Sequence, residues 1–223
     1  MANRPVFLAT NNNELVEEMN IDFQFFNGFS VSQKTKSIVS LHQAFAKCHT
    51  QKVLEVSTKS DTQLGWALSA FNLQVDFEAG RTISMECAFQ GSKVFENGLQ
   101  YSDLYEVESI VAKKDMRIKE SGALRSFSFK GEQWALEPKT AFYDWLYMSA
   151  LYNHHQEIIR ELLAYDAFTD IEFNPKRSIN CQARTCAMLV SLVRLGKLDE
   201  AMASKANFLK LLYPSVAKQG VLF

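Results

Sequence analysis

The chain is poor in the residues that interrupt helices. Among 223 residues there are 9 glycines and 4 prolines, a scarcity that argues against a many-turned β-sandwich and for helices. Its 4 cysteines stand at 48, 87, 181 and 186, with no C-x-x-C and no zinc-ligand spacing. Cys87 and Cys186 therefore read as small core residues of a reduced protein, and a cytoplasmic setting is the expectation. Charge of one sign is not in excess. With 24 basic and 25 acidic residues the formal charge is -1, so any contact with nucleic acid must use a local patch. No apolar run approaches a membrane span, and the opening MANRPVFLATNNNELVEE has no apolar segment behind a basic one; no membrane partner is expected.

Several chemistries are missing too. The sequence has no H-E-x-x-H, phosphate-binding Walker loop, G-x-G-x-x-G or G-x-S-x-G. The four histidines, His42, His49, His154 and His155, lack metal-ligand spacing. Metal enzymes and serine hydrolases are set aside, and neither metal nor cofactor is expected.

What is present is ample apolar material, 47% of the chain with 17 phenylalanines, enough for one sizeable core. Three zones follow one another. In the first, about residues 5 to 80, PVFLAT, DFQFF, VLEVS and LQVDFEA have strand composition, and SIVSLHQAFAKC has helical spacing. The second, about 83 to 130, predicts a helix through MECAFQGSKVFE, another from Asp103 to Glu120, and a hairpin turning at Lys130-Gly131. The third is helical: Lys139–Tyr152, His154–Leu163, Ser178–Leu195 and Asp199–Tyr213 carry apolar stripes with a period near 3.6, with Gly196 as a helix C-cap. The fold class is α+β, mainly helical, with a small β element.

The informative stretch is Glu86-Cys-Ala-Phe-Gln90-Gly-Ser-Lys93. On a helix Glu86, Gln90 and Lys93 share one face. By periodicity alone this is a solvated stripe of polar neighbours. The pattern Glu-x3-Gln-x2-Lys resembles the E-H-Y-x-Q-A-x-K-F signature of the NADAR family, related to YbiA. Leu68-Ser69-Ala70-Phe71-Asn72 upstream looks like the family's L-S-N-F-x element. Downstream, Ala112-Lys113-Lys114-Asp115 partly matches A-K-x-x-G-R, and Asp170-Ile-Glu172 followed by Asn180 is similar to the L-x-E…N-x-L-G block. The four elements stand in the family's order and cover roughly residues 60 to 195. Cys87 stands where the family usually has His, and the tryptophan of its last block is missing. Trp66, Trp134 and Trp145 are alternative platforms, each more often core than ligand-binding.

FNGFSVSQKTKSIVSLH, AFQGSKVFE, EPKTAFYDWLY and YDAFTDIEFNPKRSINCQAR resemble the antitoxin subgroup encoded beside toxins that ADP-ribosylate guanine in DNA. That resemblance implies a single NADAR-like domain over 1–223, with about 1–60 as a subgroup-specific N-terminal extension packed on it. It implies an ADP-ribosyl glycohydrolase that removes ADP-ribose from guanine in DNA, single-stranded or flipped out, and a cognate ADP-ribosyltransferase toxin as a partner. Alternatives are a non-catalytic module that binds ADP-ribose or the toxin, and an N-glycosidase of a small ribosylated metabolite.

The implied roles are Lys93 as nucleophile forming a Schiff base with the opened ribose, Glu86 as acid/base, and Asp170 or Glu172 as second carboxylate. Lys93 suits this only as a neutral amine, yet Glu86 on the same face would hold its proton. Ser69, Phe71, Asn72 and Gln90 are candidates for binding the ligand. So are Lys176, Arg177, Ser178 and Asn180, with Ser178 as N-cap of the helix that follows and Gln182 a weaker candidate. For a nucleic-acid strand the candidates are Lys34, Lys36, Lys113 and Lys114, with Arg117, Lys119 and the aromatics Phe25, Phe26 and Phe29 beside them.

Overall fold

The computed structural model describes residues 1–28 and 30–214; Phe29 lies outside them. In chain order the elements are β1 (Ala2–Ala9), β2 (Val16–Phe23), α1 (Val31–Ala46), β3 (Val53–Glu55), α2 (Gln63–Ala67), β4 (Gln74–Asp76), β5 (Thr82–Ser84) and α3 (Met85–Gly91). They continue as β6 (Lys93–Phe95), α4 (Ser109–Lys114), α5 (Met116–Glu120), β7 (Leu124–Phe129), β8 (Glu132–Ala135), α6 (Ala141–His154), α7 (Gln156–Leu162), β9 (Ala167–Thr169), α8 (Gln182–Arg194), α9 (Leu198–Met202) and α10 (Lys205–Leu212). This is an α+β fold. Among the described residues the strands fall into three sheets, in the orders β2-β1-β9-β3, β4-β5 and β6-β7-β8.

The largest sheet positions the site. β1 runs antiparallel to β9, while β3 runs parallel to it with Glu55 opposite Thr169. The carboxyl ends of β3 and β9 thus open in the same direction, where α/β layers commonly bind ligands. The clamp across this edge is Gln182 at the start of α8. Its Nε2 donates to Val56 O at 2.6 Å, and its Oε1 accepts from Ala70 N at 2.8 Å. Helices α6 and α8 fill the main core around the fully buried Tyr147, Phe142 and Leu189.

The hairpin at Lys130-Gly131 and the left-handed Gly196 after α8 agree with the sequence pattern. Three expected helices are divided. Asp103–Glu120 contains α4 and α5 because Asp115 starts a new helix, its side chain accepting from Arg117 N. Asp199–Tyr213 is split into α9 and α10 where Ser204 caps Asn207 N. The helix expected through residue 96 ends at Gly91. Phe95 N donates to Leu99 O instead of continuing the helix, Ser92 O accepts from Ser128 N, and the Tyr105 ring lies 2.5 Å from where a Cβ at position 91 would stand. Lys93 therefore begins a strand paired with β7, opposite Phe127.

Candidate active site

Helix α3 is buried on every side, including its polar positions. Ser84 caps it, accepting from Cys87 N at 3.2 Å, and Ser109 Oγ lies 2.8 Å from Ser84 Oγ. Glu86 and Gln90 are only 4% and 5% exposed, which is costly for a carboxylate and an amide unless both are bonded. They are. Gln90 Nε2 donates to Glu86 Oε1 at 2.7 Å, and Lys93 Nζ donates to Gln90 Oε1 at 2.6 Å. A carboxylate only accepts, which fixes the orientation of the Gln90 amide and leaves its oxygen toward Lys93.

Glu86 and Lys93 are thus joined through Gln90, and the ion partner of Glu86 is Lys113, 3.2 Å away. This alters the expectation that Glu86 would hold Lys93 protonated. The Lys93 amine is pushed down from its ordinary 10.5 to about 8, chiefly by burial; Glu86 opposes this shift and Lys113 assists it. Its Nζ also lies 5.1 Å from the centre of the Phe89 ring.

Two cavities meet beside this chain of contacts. The first, of ≈ 600 Å³, includes Ser69, Phe71, Glu86, Tyr143, Asp170 and Glu172 in its walls. The second, of ≈ 620 Å³, includes Gln90, Lys93, Lys139 and Lys176. Phe89, Lys113, Arg177, Ser178 and Asn180 line both. Each is the size of a small-molecule site.

On the far wall of the first cavity lies the turn after β9. Asp170 Oδ1 accepts from Glu172 N at 2.9 Å and Phe173 N at 3.2 Å. Beneath it sits Glu55, 1% exposed, accepting from Ser57 Oγ, Thr169 Oγ1 and Ile171 N. Burial raises the Glu55 carboxyl, and burial together with the neighbouring Glu55 raises Asp170 well above the usual carboxylate range. His42 Nε2 lies 2.8 Å from Thr169 Oγ1. Because that hydroxyl spends its proton on Glu55, His42 donates here. Burial lowers the His42 ring to about 4. Glu172 stands exposed at the rim and accepts from Thr58 Oγ1 at 3.2 Å.

The structure therefore brings Glu86, Gln90, Lys93, Ser69, Phe71, Asp170, Glu172, Arg177, Ser178 and Asn180 to one pair of cavities. Lys176 joins the second cavity only. Asn72 faces neither, its amide donating to Trp66 O at 2.8 Å. Ser178 is not an N-cap: α8 starts at Gln182 behind Cys181, and Ser178 Oγ donates to Asn180 O. Gln182 spends both ends of its amide on the backbone clamp. Lys34 lines the first cavity, whereas Lys36 and Lys114 are exposed and lie outside both. Trp134 is core, packed against Trp145, and Trp66 faces neither cavity.

Three residues gathered here, Arg4, Phe89 and Glu55, carried no usable sequence signal. Arg4 reaches the first cavity from β1, with Nε buried and without a hydrogen-bond partner; Asn180 Oδ1 is in the same state. Phe89 lines both cavities, and Glu55 holds Ile171 N next to Asp170. Only a strand pairing of long sequence separation places Arg4 and Glu55 there.

Residues 2–220 match the model of the DarT1-associated NADAR antitoxin, and the chain belongs to that family. No curated protein matches it. An antitoxin role toward a DarT1 toxin follows from the family. Among the described residues, no helix is long and apolar enough to cross a membrane.

Proposed function

We propose that the protein is an ADP-ribosyl glycohydrolase that removes ADP-ribose from guanine in DNA and so reverses the modification made by its toxin. The observation that carries this reading is Lys93. It is a largely buried amine whose proton is weakly held, joined through one glutamine to a buried carboxylate where two cavities meet. A lysine in this state is a nucleophile near neutral pH.

In this reading the first cavity takes ADP-ribose. Arg4, Lys34, Lys113 and Arg177 supply charge for the diphosphate, with bidentate donors on the arginines. The distal ribose lies at the junction beside Phe89, its C1″ toward Lys93 and the guanine beyond. Asn180 Oδ1, buried and without a partner, accepts from the guanine edge, which presents N–H donors.

The chemistry balances with one proton drawn from Asp170, held protonated by burial and by Glu55. Lys93 attacks C1″, the guanine nitrogen leaves as N–H, and the ribose ring opens as O4″–H. The two departing groups take one proton from the acid and one from the amine. C1″ and Nζ are left as a protonated imine. Glu86 faces that positive charge and aids the attack of water. Hydrolysis restores the amine, returns the proton to Asp170 and frees ADP-ribose.

Replacing Lys93 by Met, which fills similar space without an amine, tests this. Release of ADP-ribose from modified DNA is expected to fall by about 10³-fold or more with the fold intact. Undiminished release by that variant would exclude the mechanism. Release from a ribosylated pyrimidine but not from modified DNA would favour the small-metabolite reading.

A further inference from the structure

The second cavity is more than is needed to hold ADP-ribose. Its walls carry the cations Lys93, Lys113, Lys139, Lys176 and Arg177 against the single carboxylate of Glu137. In a chain whose formal charge is -1, this concentration of one sign is local. Lys93 and Lys113 are engaged with Gln90 and Glu86. Among the described residues, Lys139, Lys176 and Arg177 have no ion-pair partner, and Lys139 and Lys176 are exposed. Between the cations the wall is apolar, with Leu124, Phe127, Leu136 and Ile179, the last 55% exposed. Alternating cations and apolar surface suit a polyanion whose units have flat unpaired faces, and a single strand of nucleic acid is such a ligand. An acidic protein segment would use the cations but does not carry a flat face and a charge together on every unit.

We infer that the second cavity seats the phosphodiester strand flanking the modified base, with Lys139 and Lys176 gripping the backbone. The inference rests on the reading of the first cavity as the ADP-ribose site, and it adds the direction in which the strand leaves. The strand passes along the loop 175–180 and the segment 136–139, away from α1 and from Lys36 and Lys114. This departs from the sequence expectation, which put the strand on α1 and α4. It also gives the chain a reason to distinguish a modified strand from a free modified nucleotide: only the strand reaches these lysines.

The test is binding of an unmodified, fluorescently labelled single strand of about 12 nucleotides, once as DNA and once as RNA of the same sequence. The wild-type protein is compared with Lys139→Glu/Lys176→Glu and with a matched control, Lys36→Glu/Lys114→Glu. The first variant is expected to bind at least about 10-fold more weakly, with a slope of log K against log salt shallower by about 1.4, the value for two lost phosphate contacts on a single strand. The control is expected to stay within about twofold of wild type. Binding of either strand through these lysines supports the inference, and the tighter arm assigns the sugar. An equal loss in both variants, no strand binding by wild type, or equal competition by poly-glutamate would overturn it. Circular dichroism establishes folding, and Lys139→Gln/Lys176→Gln replaces the charge-reversed pair if that pair misfolds. Calorimetry of ADP-ribose with the wild-type protein reports on the first cavity alone. A failure there strikes the proposed function and leaves the strand measurement readable.

Discussion

The two walls of the cleft are built on opposite plans. On the α3 side, Glu86 and Gln90 are buried within a helix, and each is tied to a named partner. On the facing side, residues 170–181 form a turn-rich segment, half of it exposed. Its polar atoms bond within the segment, as Asp170 does with Glu172 N and Phe173 N, Asn174 with Lys176 N, and Ser178 with Asn180 O. A group that must keep its geometry through a reaction needs a rigid support. A group that recognises a ligand can sit on a loop placed by that support. In the proposed function, α3 and β6 hold the reacting groups, while the loop supplies recognition. Asp170 belongs to the rigid wall despite its place in the turn, because it directly follows β9 and the buried Glu55 accepts from Ile171 N beside it.

Three substitutions can break or sharpen this contrast. Glu86→Gln keeps the shape of the side chain but removes the charge facing both Lys113 and the imine. Turnover of modified DNA is expected to drop by about 10²-fold or more, the usual contribution of a positioned acid/base, while ADP-ribose affinity measured by calorimetry changes little. A loss in affinity matching the loss in rate would place Glu86 in recognition and undo the division of labour. On the loop side, Asn180→Ala is expected to raise KM by about 10-fold, the worth of one polar contact to a ligand of about 1.4 kcal/mol, with kcat nearly unchanged. A fall in kcat alone would move the loop into the chemistry.

The smallest effect concerns stability. A lysine whose amine is pushed down to about 8 binds its proton less well folded than unfolded. The folded state is therefore penalised most below about 8, and the penalty fades as pH rises toward the unfolded lysine value near 10.4. Lys93→Met, inactive in the account above, is expected to be more stable than wild type by about 1–2 kcal/mol at neutral pH. That gain should shrink as pH climbs through this window in denaturant titrations. A constant gain at all pH values would show that the amine is not held in the depressed state. By the same sign, wild-type turnover is expected to rise with pH up to about 8, where the amine becomes neutral.

Much of the reactive wall was legible because its signal is local. Glu86 and Gln90 lie four positions apart on one helix, and their contact follows from helical spacing. Lys93 reaches the same face for a different reason: the chain leaves the helix after Gly91, and the turn into β6 returns the lysine to Gln90. Helical periodicity thus put Lys93 on one face with Glu86 and Gln90, although Lys93 stands in a strand. The recognition wall was less legible. Ser178 has the composition of a cap, but Asn180 and Cys181 intervene and α8 begins later. Asn72 sits in a recognisable motif, yet its amide is consumed by Trp66 O. Arg4, Phe25 and Glu55 belong to the first zone, and the pairing of β1 and β3 with β9 carries the strands of Arg4 and Glu55 to the cleft. Nothing in a local window encodes that pairing. Lys113, read as a contact for nucleic acid, lines both cavities and also meets a carboxylate across 27 residues, a pairing that no local window shows.

The central claim is a covalent bond between Lys93 and the ribose. Wild-type protein turning over ADP-ribosylated DNA in the presence of cyanoborohydride, followed by peptide mass spectrometry, reads it directly, since hydride converts an imine to a stable secondary amine. The account predicts one ADP-ribose attached to the peptide containing Lys93, time-dependent inactivation, and no such adduct in Lys93→Met. Full turnover through the reductant, with Lys93 unmodified, would contradict it.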